Sequence, residues 1–381
     1  MKILTIAATP FFSDRGCHIR IYSEAKYLQK LGAEVRICAY HIGRDIPGLD
    51  IARIGKASWY KKTTPGFSWG KVWLDIKLIF LCRREIKKFK PDIIHAHLYE
   101  GLGIGYLAKK LAFKKIPIVF DLQGDLQEEF KSYSKKNVFA RRFFSLFSRM
   151  VINWADWVIL SSENALEKIK VAYKKKESIS VVRDGIDLDL FKNPPALSAK
   201  DHSRISQLRS WKRNKKLLIY IGGLSGSKGV KELLKAFSEV IKGNLEWKLA
   251  LGGYGDDEEK YQDYIKQNSL EDKIILMGKV SYFSLPHFLA VADAAIDPKQ
   301  GSAESSGKLA NYIAADLPII CFENKFNRAR LGEKGFYLRT IGDLKNILAS
   351  WKKCSVNYNS KGFSEEEEAE RLFRIFNSLL K

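Results

Sequence analysis

Residues 295–322 combine the residue types that an anion-binding site requires. An apolar run is followed by a segment rich in glycine and serine, and a helical pattern then begins near Gly307. The first N–H groups of a helix lack partners inside the helix and attract anions placed beyond its start. Lys308 adds positive charge there, and Glu304 and Asn311 offer groups that hydrogen-bond hydroxyls. The pattern therefore favours a ligand that carries both anionic and hydroxyl groups.

Small or polar residues also follow several predicted strands in the first half of the chain. In open parallel sheets, ligands bind at the carboxyl ends of the strands. The residues at those ends are Gly16, His97, Gln123, Asp125 and Ser162. We expect them to converge on one site, and this convergence is more informative than any single residue.

Two histidines and two aspartates in this half need separate interpretation. His95 and His97 lie on one face of a predicted strand, as metal ligands do, but no third ligand follows at nearby spacing. We therefore interpret them as strand-end histidines. Asp121 and Asp125 flank Gln123, and Asp125 is the better candidate base because it lies on the turn beyond the strand. A helix cap is an equally good interpretation of Asp125.

These residues require a framework of alternating strands and helices. Residues 2–8 and 35–40 are apolar runs, and residues 19–31 between them have helical periodicity, which predicts a right-handed βαβ unit. Other apolar runs predict strands at 91–97, 117–125, 155–162, 178–183, 217–223, 247–252 and 273–278. The polar residues 192–216 are the best candidate for a linker between two domains. The fold class predicted is α/β, with two doubly wound parallel-sheet domains in tandem.

Composition excludes some functional classes. The chain has 381 residues, 46% apolar and 28% charged, which is typical of a soluble globular protein. No run of about 18 apolar residues occurs, so we expect no spanning helix. The five cysteines are scattered without metal-type spacing, which predicts reduced thiols and a cytoplasmic location. The apolar start of the chain is better interpreted as a buried strand than as a signal peptide.

The net charge of +22 predicts an anionic partner. Residues 56–90 contain ten Lys or Arg against two acids, and residues 131–150 contain six against none. Both segments also carry bulky aromatic side chains, a combination typical of proteins that bind anionic membrane surfaces. Nucleic acid is the competing anion, but we expect none because no recognisable nucleic-acid-binding motif is present.

Five short motifs occur in order along nearly the whole chain. They are Asp184-Gly185-Ile186-Asp187 with Phe191, the loop from Gly222 to Lys228-Gly229, Gly252-Gly253-x-Gly255, Ala292-Asp293, and Lys308-Leu309-x-x-Tyr312-x-Ala314-Ala315-x-x-Pro318. Each motif is weak alone, but their order and spacing are jointly specific. Together they resemble the retaining glycosyltransferases of GT-B architecture, glycosyltransferase family 4.

The resemblance implies two Rossmann-like domains that face a central cleft. Residues 1–190 are expected to bind the acceptor, with a C-terminal helix at 364–381 packed back onto them. Residues 191–363 are expected to bind the sugar-nucleotide donor. The resemblance also implies retention of anomeric configuration, with no essential metal and no other cofactor.

The same resemblance assigns roles to individual residues. Lys228 matches the phosphate-binding lysine, and Gly16 matches a glycine that lets the backbone approach the phosphates. The expected donor-binding residues are Gly16, Gly222, Gly223, Lys228, Gly253, Ser306, Gly307, Lys308, Leu309 and Asn311. The expected catalytic residues are Gln123, Asp125, Lys228 and Glu304, and the expected acceptor-binding residues are His97 and Asp125.

Three departures from the family pattern weaken the resemblance locally. Gly223 stands where many members have arginine, and Gln123 stands where many have a histidine at the reacting face of the sugar. The family's paired glutamates are incomplete, since Asn311 occupies the second position and Glu304 lies one residue from the first. Activity is therefore expected to depend on Lys228, Lys308 and Glu304.

The expected function is transfer of a sugar from a UDP- or GDP-sugar to a lipid-linked or cell-envelope glycan acceptor. The enzyme is expected to be cytoplasmic and peripheral on the inner face of the plasma membrane. Two alternatives share the architecture: a non-catalytic paralogue that binds lipid or nucleic-acid surfaces, and a sugar-nucleotide epimerase. The motifs at Asp184 and Lys308 favour the transferase.

Overall fold

The structure is a computed structural model that describes residues 1–60, 68–123, 148–163, 166–243, 246–300, 307–352, 356–358 and 363–381. The chain divides into two compact units. The first unit contains Met1–Gly185 and Glu365–Lys381, and the second contains Ile186–Ser364. The division between them falls at Gly185, earlier in the chain than the polar segment 192–216.

The first unit is built on a parallel sheet of seven strands in the order β3-β2-β1-β4-β5-β6-β7. Its elements in chain order are β1 Lys2–Ala7, α1 Gly16–Lys30, β2 Glu34–Ala39, β3 Asp50–Arg53, α2 Trp69–Phe89, β4 Ile93–His97, α3 Leu98–Leu111, β5 Ile118–Leu122, β6 Trp157–Leu160, α4 Leu166–Ala172 and β7 Ile179–Val181. Every residue of β4 and β5 is buried, as expected for inner strands of a sheet covered on both faces.

The second unit is built on a parallel sheet of six strands in the order β10-β9-β8-β11-β12-β13. Its elements are α5 Leu188–Lys192, α6 Ala199–Lys212, β8 Lys216–Ile221, α7 Val230–Lys242, β9 Trp247–Gly252, α8 Glu258–Gln267, β10 Ile274–Gly278, α9 Leu285–Leu289, β11 Ala294–Asp297, α10 Gly307–Ala314, β12 Ile319–Phe322, α11 Lys325–Leu331, β13 Phe336–Leu338 and α12 Asp343–Ala349. The sequence pattern predicts that five apolar residues of α7 share one face, and all five are buried: Val230, Leu233, Leu234, Phe237 and Val240.

The chain returns to the first unit through a last helix, α13, Glu365–Leu379. Four glutamates, residues 365–368, occupy its first turn, where the helix dipole favours negative charge. Leu372 and Phe376 are fully buried, and α13 packs on α1. The C-terminal helix is therefore part of the first unit's core.

The segment expected to link the two domains, residues 192–216, contains a regular helix. Residues 199–212 form the helix α6, whose start is capped by Ser198 through a hydrogen bond from the N–H of Asp201. Only a narrow stripe of α6, including Ile205 and Leu208, is buried. A helix that is polar on most of its surface has little hydrophobic periodicity, so its sequence resembles a linker.

Among the described residues, no helix combines the length and the apolar character that crossing a lipid bilayer requires. The longest described helix, α2, has 21 residues and carries charged side chains along its length.

Candidate active site

The strand order of the second sheet predicts where this unit binds a ligand. The chain runs from β8 outward through β9 to β10, and then returns to place β11 on the other side of β8. The carboxyl ends of β8 and β11 therefore border the switch point at which open α/β sheets bind ligands. Gly222 follows β8 directly, and Asp297 is the last residue of β11.

The dipeptide Gly222-Gly223 lies beside two lysine side chains. A Cβ at Gly222 would be 2.8 Å from Cδ of Lys308 and 2.8 Å from the hydroxyl oxygen of Tyr220. A Cβ at Gly223 would be 4.0 Å from Cγ and Cε of Lys228. The fold thus brings the two lysines predicted to bind phosphate to adjacent residues of one loop.

Lys308 is positioned by the ends of β8 and β11. Its Nζ lies 3.3 Å from Oδ1 of Asp297 and 5.7 Å from the ring centroid of Tyr220. Asp297 is 4% exposed, so it offsets the charge of Lys308 with little screening by water. The hydroxyl of Tyr220 in turn donates a hydrogen bond to the carbonyl oxygen of Gly223 at 2.8 Å.

Two glycines with positive φ shape the loops around the lysines. Gly229 has a φ of 76°, and a Cβ there would lie 2.1 Å from the carbonyl oxygen of Pro298. Gly253 has a φ of 143°, and its Cβ would lie 1.8 Å from the carbonyl oxygen of Gly222. No other residue fits either position without moving backbone. Gly229 directly follows Lys228, so it fixes the path of the loop that carries this lysine.

The first turn of α10 contains residues 307–309, and N–H groups in the first turn of a helix have no acceptor inside the helix. The side chain of Leu309 is fully buried, so any contact of Leu309 with a ligand has to be made by its N–H group. Asn311 is half-buried one turn further along the helix. The hydroxyl of Tyr312 accepts a hydrogen bond from the N–H of Ile221 at 3.0 Å, which ties α10 to the end of β8.

The crowding at Gly222 gives a matched pair of variants. We expect Gly222→Ala to weaken nucleotide-sugar binding about tenfold or more, because its Cβ displaces Lys308 and Tyr220. Gly223→Ala should change it less than about threefold, because its Cβ meets only van der Waals contacts. Isothermal titration of both variants measures the difference. Equal affinities would contradict this positioning of Lys308.

The first unit contains a second group of polar side chains, centred on Arg20 and Asp121. Nε of Arg20 donates to Oδ2 of Asp121 at 2.7 Å, and Nη1 donates to Oδ1 of Asp184 at 2.8 Å. Nη2 donates to the carbonyl oxygen of Val182 at 2.9 Å. Nε also lies 3.1 Å from Oε1 of Glu24, one turn away on α1. Arg20 therefore joins α1 to the ends of β5 and β7.

Two predicted site residues, His97 and Gln123, belong to this group. Nδ1 of His97 lies 3.1 Å from Oδ2 of Asp121 and 2.8 Å from Nε2 of Gln123. Nε2 of Gln123 also donates to Oδ2 of Asp121 at 3.2 Å. The structure thus brings His97 and Gln123 together at the carboxyl ends of β4 and β5, as the strand-end pattern predicts.

Burial controls the ionisation of this group. Burial opposes the charged form of Asp121, but Arg20 and the hydrogen bond with His97 outweigh it and hold the pKa of Asp121 well below its usual value. Burial and the neighbouring charge of Asp121 raise the pKa of Glu24 well above its usual value. Burial also lowers the pKa of both His95 and His97, so both imidazoles are neutral near pH 7.

His95 and His97 lie in the last three residues of β4, as strand-end histidines do, and two further residues of metal-ligand type lie close to them in the fold. Glu24 and Asp121 lie beside them, and one ligand atom from each of the four residues falls within 4.8 Å of the others. Sequence spacing does not reveal this set because Glu24 comes from α1 and Asp121 from β5.

Three predicted site residues fall outside the described residues: Asp125, Glu304 and Ser306. Gly16 is exposed and begins α1, whereas the sequence predicts a loop there. No described atom lies within 4 Å of a Cβ built on Gly16.

Sequence reasoning missed four residues that position the two groups: Arg20, Glu24, Tyr220 and Asp297. Arg20 and Glu24 are spaced as an ordinary surface ion pair on a helix, and Tyr220 resembles a core residue. A detectable signal existed only at Asp297, an acid that ends an apolar strand.

Comparisons with known proteins match both units. Residues 15–190 match the model of Glycosyltransferase Family 4, and residues 202–336 match that of Glycosyl transferases group 1. The solved structure of Anabaena Alr3699/HepE in complex with UDP and glucose has a TM-score of 0.72 at 18% identity, over 99% of this chain and 100% of that chain. Other structural neighbours are also GT-B glycosyltransferases.

Two curated relatives are similar over a large part of the chain. Alpha-monoglucosyldiacylglycerol synthase of Streptococcus pneumoniae is 23% identical over 288 residues, 74% of this chain and 63% of the relative. UDP-Gal:alpha-D-GlcNAc-diphosphoundecaprenol alpha-1,3-galactosyltransferase of Escherichia coli is 26% identical over 229 residues, 59% of this chain and 56% of the relative. The matches thus span about half to two thirds of each relative. The first half of the chain matches Glycosyltransferase Family 4, and the second half matches Glycosyl transferases group 1. Because both matched halves also fold into parallel-sheet units, the chain belongs to the glycosyltransferases of GT-B architecture.

Proposed function

We propose that the protein transfers a sugar from a UDP- or GDP-sugar to a lipid-linked or cell-envelope glycan acceptor, with retention of configuration. The observation that carries the proposal is the pair of lysines, Lys228 and Lys308, beside Gly222-Gly223 at the switch point of the second sheet. A diphosphate placed there would meet two ammonium groups and the N–H groups of the first turn of α10. Such an arrangement stabilises the negative charge that develops on the leaving diphosphate.

The two lysines play different parts in this proposal. Lys308 is paired with the buried Asp297, so much of its charge is already offset, and it serves chiefly to orient the diphosphate. Lys228 supplies the larger share of the stabilisation as the glycosidic bond breaks. Transfer of this kind needs no metal in the donor site, because ammonium and N–H groups replace it.

A thermal-shift screen over UDP- and GDP-sugars tests the donor. A ligand that binds only the folded protein raises its stability by roughly 2.7 kcal/mol at 100 times its Kd. We expect one nucleotide sugar to raise the melting temperature of wild type, and the shift to be smaller in Gly222→Ala, whose added Cβ displaces Lys308 and Tyr220. Absence of a shift with every UDP- and GDP-sugar would contradict the proposal.

The acceptor is proposed to be lipid-linked for two reasons. The names of two curated relatives include a lipid, a glucosylated diacylglycerol in one and a sugar linked to diphosphoundecaprenol in the other. The second reason lies on α2, whose outer face carries an exposed apolar stripe: Trp69, Val72, Trp73, Ile76 and Phe80. Spacings of three and four residues place these side chains along one side of the helix.

Basic residues and a second helix extend this stripe. Lys77, Arg84, Lys87 and Lys88 are exposed on α2. On the neighbouring helix α3, Leu107 and Leu111 are exposed, and the exposed fraction of Phe113 just beyond it is 90%. Arg83 links the two helices by donating a hydrogen bond to the carbonyl oxygen of Leu111 at 3.1 Å. Aromatic side chains flanked by lysine and arginine are suited to the headgroup region of an anionic bilayer.

These features support peripheral attachment to the inner face of the plasma membrane. The basic segment 56–90 contributes through α2, whereas most of the segment 131–150 lies outside the described residues.

A flotation assay with vesicles of phosphatidylglycerol and phosphatidylcholine tests the membrane part. We expect the double variant Trp69→Ser/Trp73→Ser to lower the bound fraction at least about tenfold, because about half or more of each indole surface is exposed on the stripe. Val171→Ser is the matched control, since Val171 is 77% exposed on α4. If wild type does not float, or if both variants float equally well, the α2 face is not the membrane-binding surface.

A further inference from the structure

The first unit contains four buried side chains of metal-ligand type from three separate elements. Glu24 lies on α1, His95 and His97 lie on β4, and Asp121 lies on β5. Their exposed fractions are 5%, 1%, 0% and 0%, respectively. One ligand atom from each lies within 4.8 Å of all the others.

Two of the contacts in this cluster are too long to be hydrogen bonds. Oε2 of Glu24 is 3.8 Å from Nε2 of His95 and 3.7 Å from Nε2 of His97. Both distances exceed hydrogen-bond range. They are close to the separation of roughly 3.4 Å between ligands of a tetrahedral zinc ion with bonds near 2.1 Å. The three atoms are therefore spaced as the ligands of one small cation are.

Several polar atoms of this cluster lack hydrogen-bond partners. Four atoms form no hydrogen bond within the part of the chain that the structure describes: Oε2 of Glu24, Nε2 of His95, Nε2 of His97 and Oδ1 of Asp121. The other carboxylate oxygen of Glu24, Oε1, pairs with Arg20 at 3.1 Å. A buried polar atom left in this state destabilises the folded protein. Several such atoms that converge from different elements indicate a missing ligand more strongly than one isolated atom does.

The surrounding groups orient these atoms as they do in metal sites. Nδ1 of His97 contacts both Oδ2 of Asp121, at 3.1 Å, and Nε2 of Gln123, at 2.8 Å, so Nε2 is the ring nitrogen left for a cation. Histidines that bind metal are usually held by such a carboxylate contact on the other ring nitrogen. Arg20 approaches Oε1 of Glu24 and Oδ2 of Asp121, which leaves Oε2 and Oδ1 for a cation.

We propose that Glu24, His95, His97 and Asp121 bind one divalent transition-metal cation, with Zn²⁺ as the best match. Two imidazole nitrogens and two carboxylate oxygens are a tetrahedral ligand set that suits zinc. Because all four residues are buried, the site is closed, and the metal is structural: it links α1 to the centre of the first sheet. No step of sugar transfer passes through it, and the inference does not depend on the proposed function.

Metal analysis of protein from which any affinity tag has been cleaved tests this inference. We expect wild type to retain about one zinc per chain after gel filtration. After removal of the metal, titration with Co²⁺ should give the visible absorption bands of a tetrahedral site. Removal should also lower the melting temperature, and Zn²⁺ should restore it.

The variant Glu24→Gln distinguishes a cation site from a group of side chains held together by hydrogen bonds alone. The amide keeps the shape of Glu24 but is a poor metal ligand, so Co²⁺ binding should weaken at least about 100-fold. Glu85→Gln is the control, since Glu85 is also buried, at 3% exposure, and pairs with Arg36. His95→Gln is a second variant with the same expected loss, in case Glu24→Gln does not fold. Wild type that binds neither Zn²⁺ nor Co²⁺, or a folded Glu24→Gln that binds Co²⁺ as wild type does, would overturn the proposal.

Discussion

Replacing Lys228 with alanine is expected to lower kcat for sugar transfer by roughly 100- to 1000-fold. The side chain lies against Gly223 at the end of β8, where the switch point of the second sheet places a ligand. Negative charge on the diphosphate increases as the glycosidic bond breaks, so a cation there contributes more to the transition state than to donor binding. The effect on kcat should therefore exceed the effect on KM.

Lys235→Ala is the matched control for this prediction. Lys235 is exposed on α7, the helix that follows the Lys228 loop, and removing it changes the net charge by the same amount. We expect Lys235→Ala to keep at least about half of the wild-type kcat. If Lys228→Ala is as active as Lys235→Ala, the loop does not hold the departing diphosphate. Lys308 is less suitable for this test, because its removal leaves the buried Asp297 without its ion pair.

The second prediction with a large expected effect concerns the stability of the first unit. Asp121→Asn should destabilise the first unit by roughly 3 kcal/mol, because it leaves the buried guanidinium of Arg20 without its shortest ion pair. The variant also loses the charged acceptor for Nδ1 of His97. Differential scanning calorimetry is the suitable measurement, since a two-unit protein need not unfold in one transition.

Asp184→Asn provides the comparison for Asp121→Asn. Asp184 also pairs with Arg20, at 2.8 Å, but its side chain is 48% exposed. Water screens that pair, so its loss should cost no more than about 1 kcal/mol. Equal destabilisation by both variants would show that burial does not determine how much each ion pair contributes to the free energy of unfolding.

The large features of the fold could be predicted because they depend on local periodicity. β1, β4, β8 and β9 are apolar runs between glycine or proline residues, and α7 has a wide apolar face. The edge strands β3 and β13 escaped prediction because they have four and three residues, respectively, and are only partly buried. A strand of that length has no clear alternation to detect.

The donor-site residues could be predicted better than the group around Arg20 for a physical reason. Lys228 and Lys308 each sit in a local pattern, a glycine loop and a helix start, whose chemistry is visible in a few neighbouring residues. Arg20 forms hydrogen bonds with Asp121 and Asp184, which are 101 and 164 residues away from it in the sequence. Only the packing of α1 on the sheet brings them together, and no short-range pattern encodes that contact.

The most direct test of the central claim is a transfer assay with radiolabelled UDP- and GDP-sugars and a bacterial lipid extract. Wild type is expected to move label into the lipid fraction and to release one nucleoside diphosphate per sugar transferred, and Lys228→Ala is expected to do both at no more than about 1% of the wild-type rate. Lipid labelling by Lys228→Ala at the wild-type rate, or no labelling and no diphosphate release by wild type with any of these donors, would contradict the account.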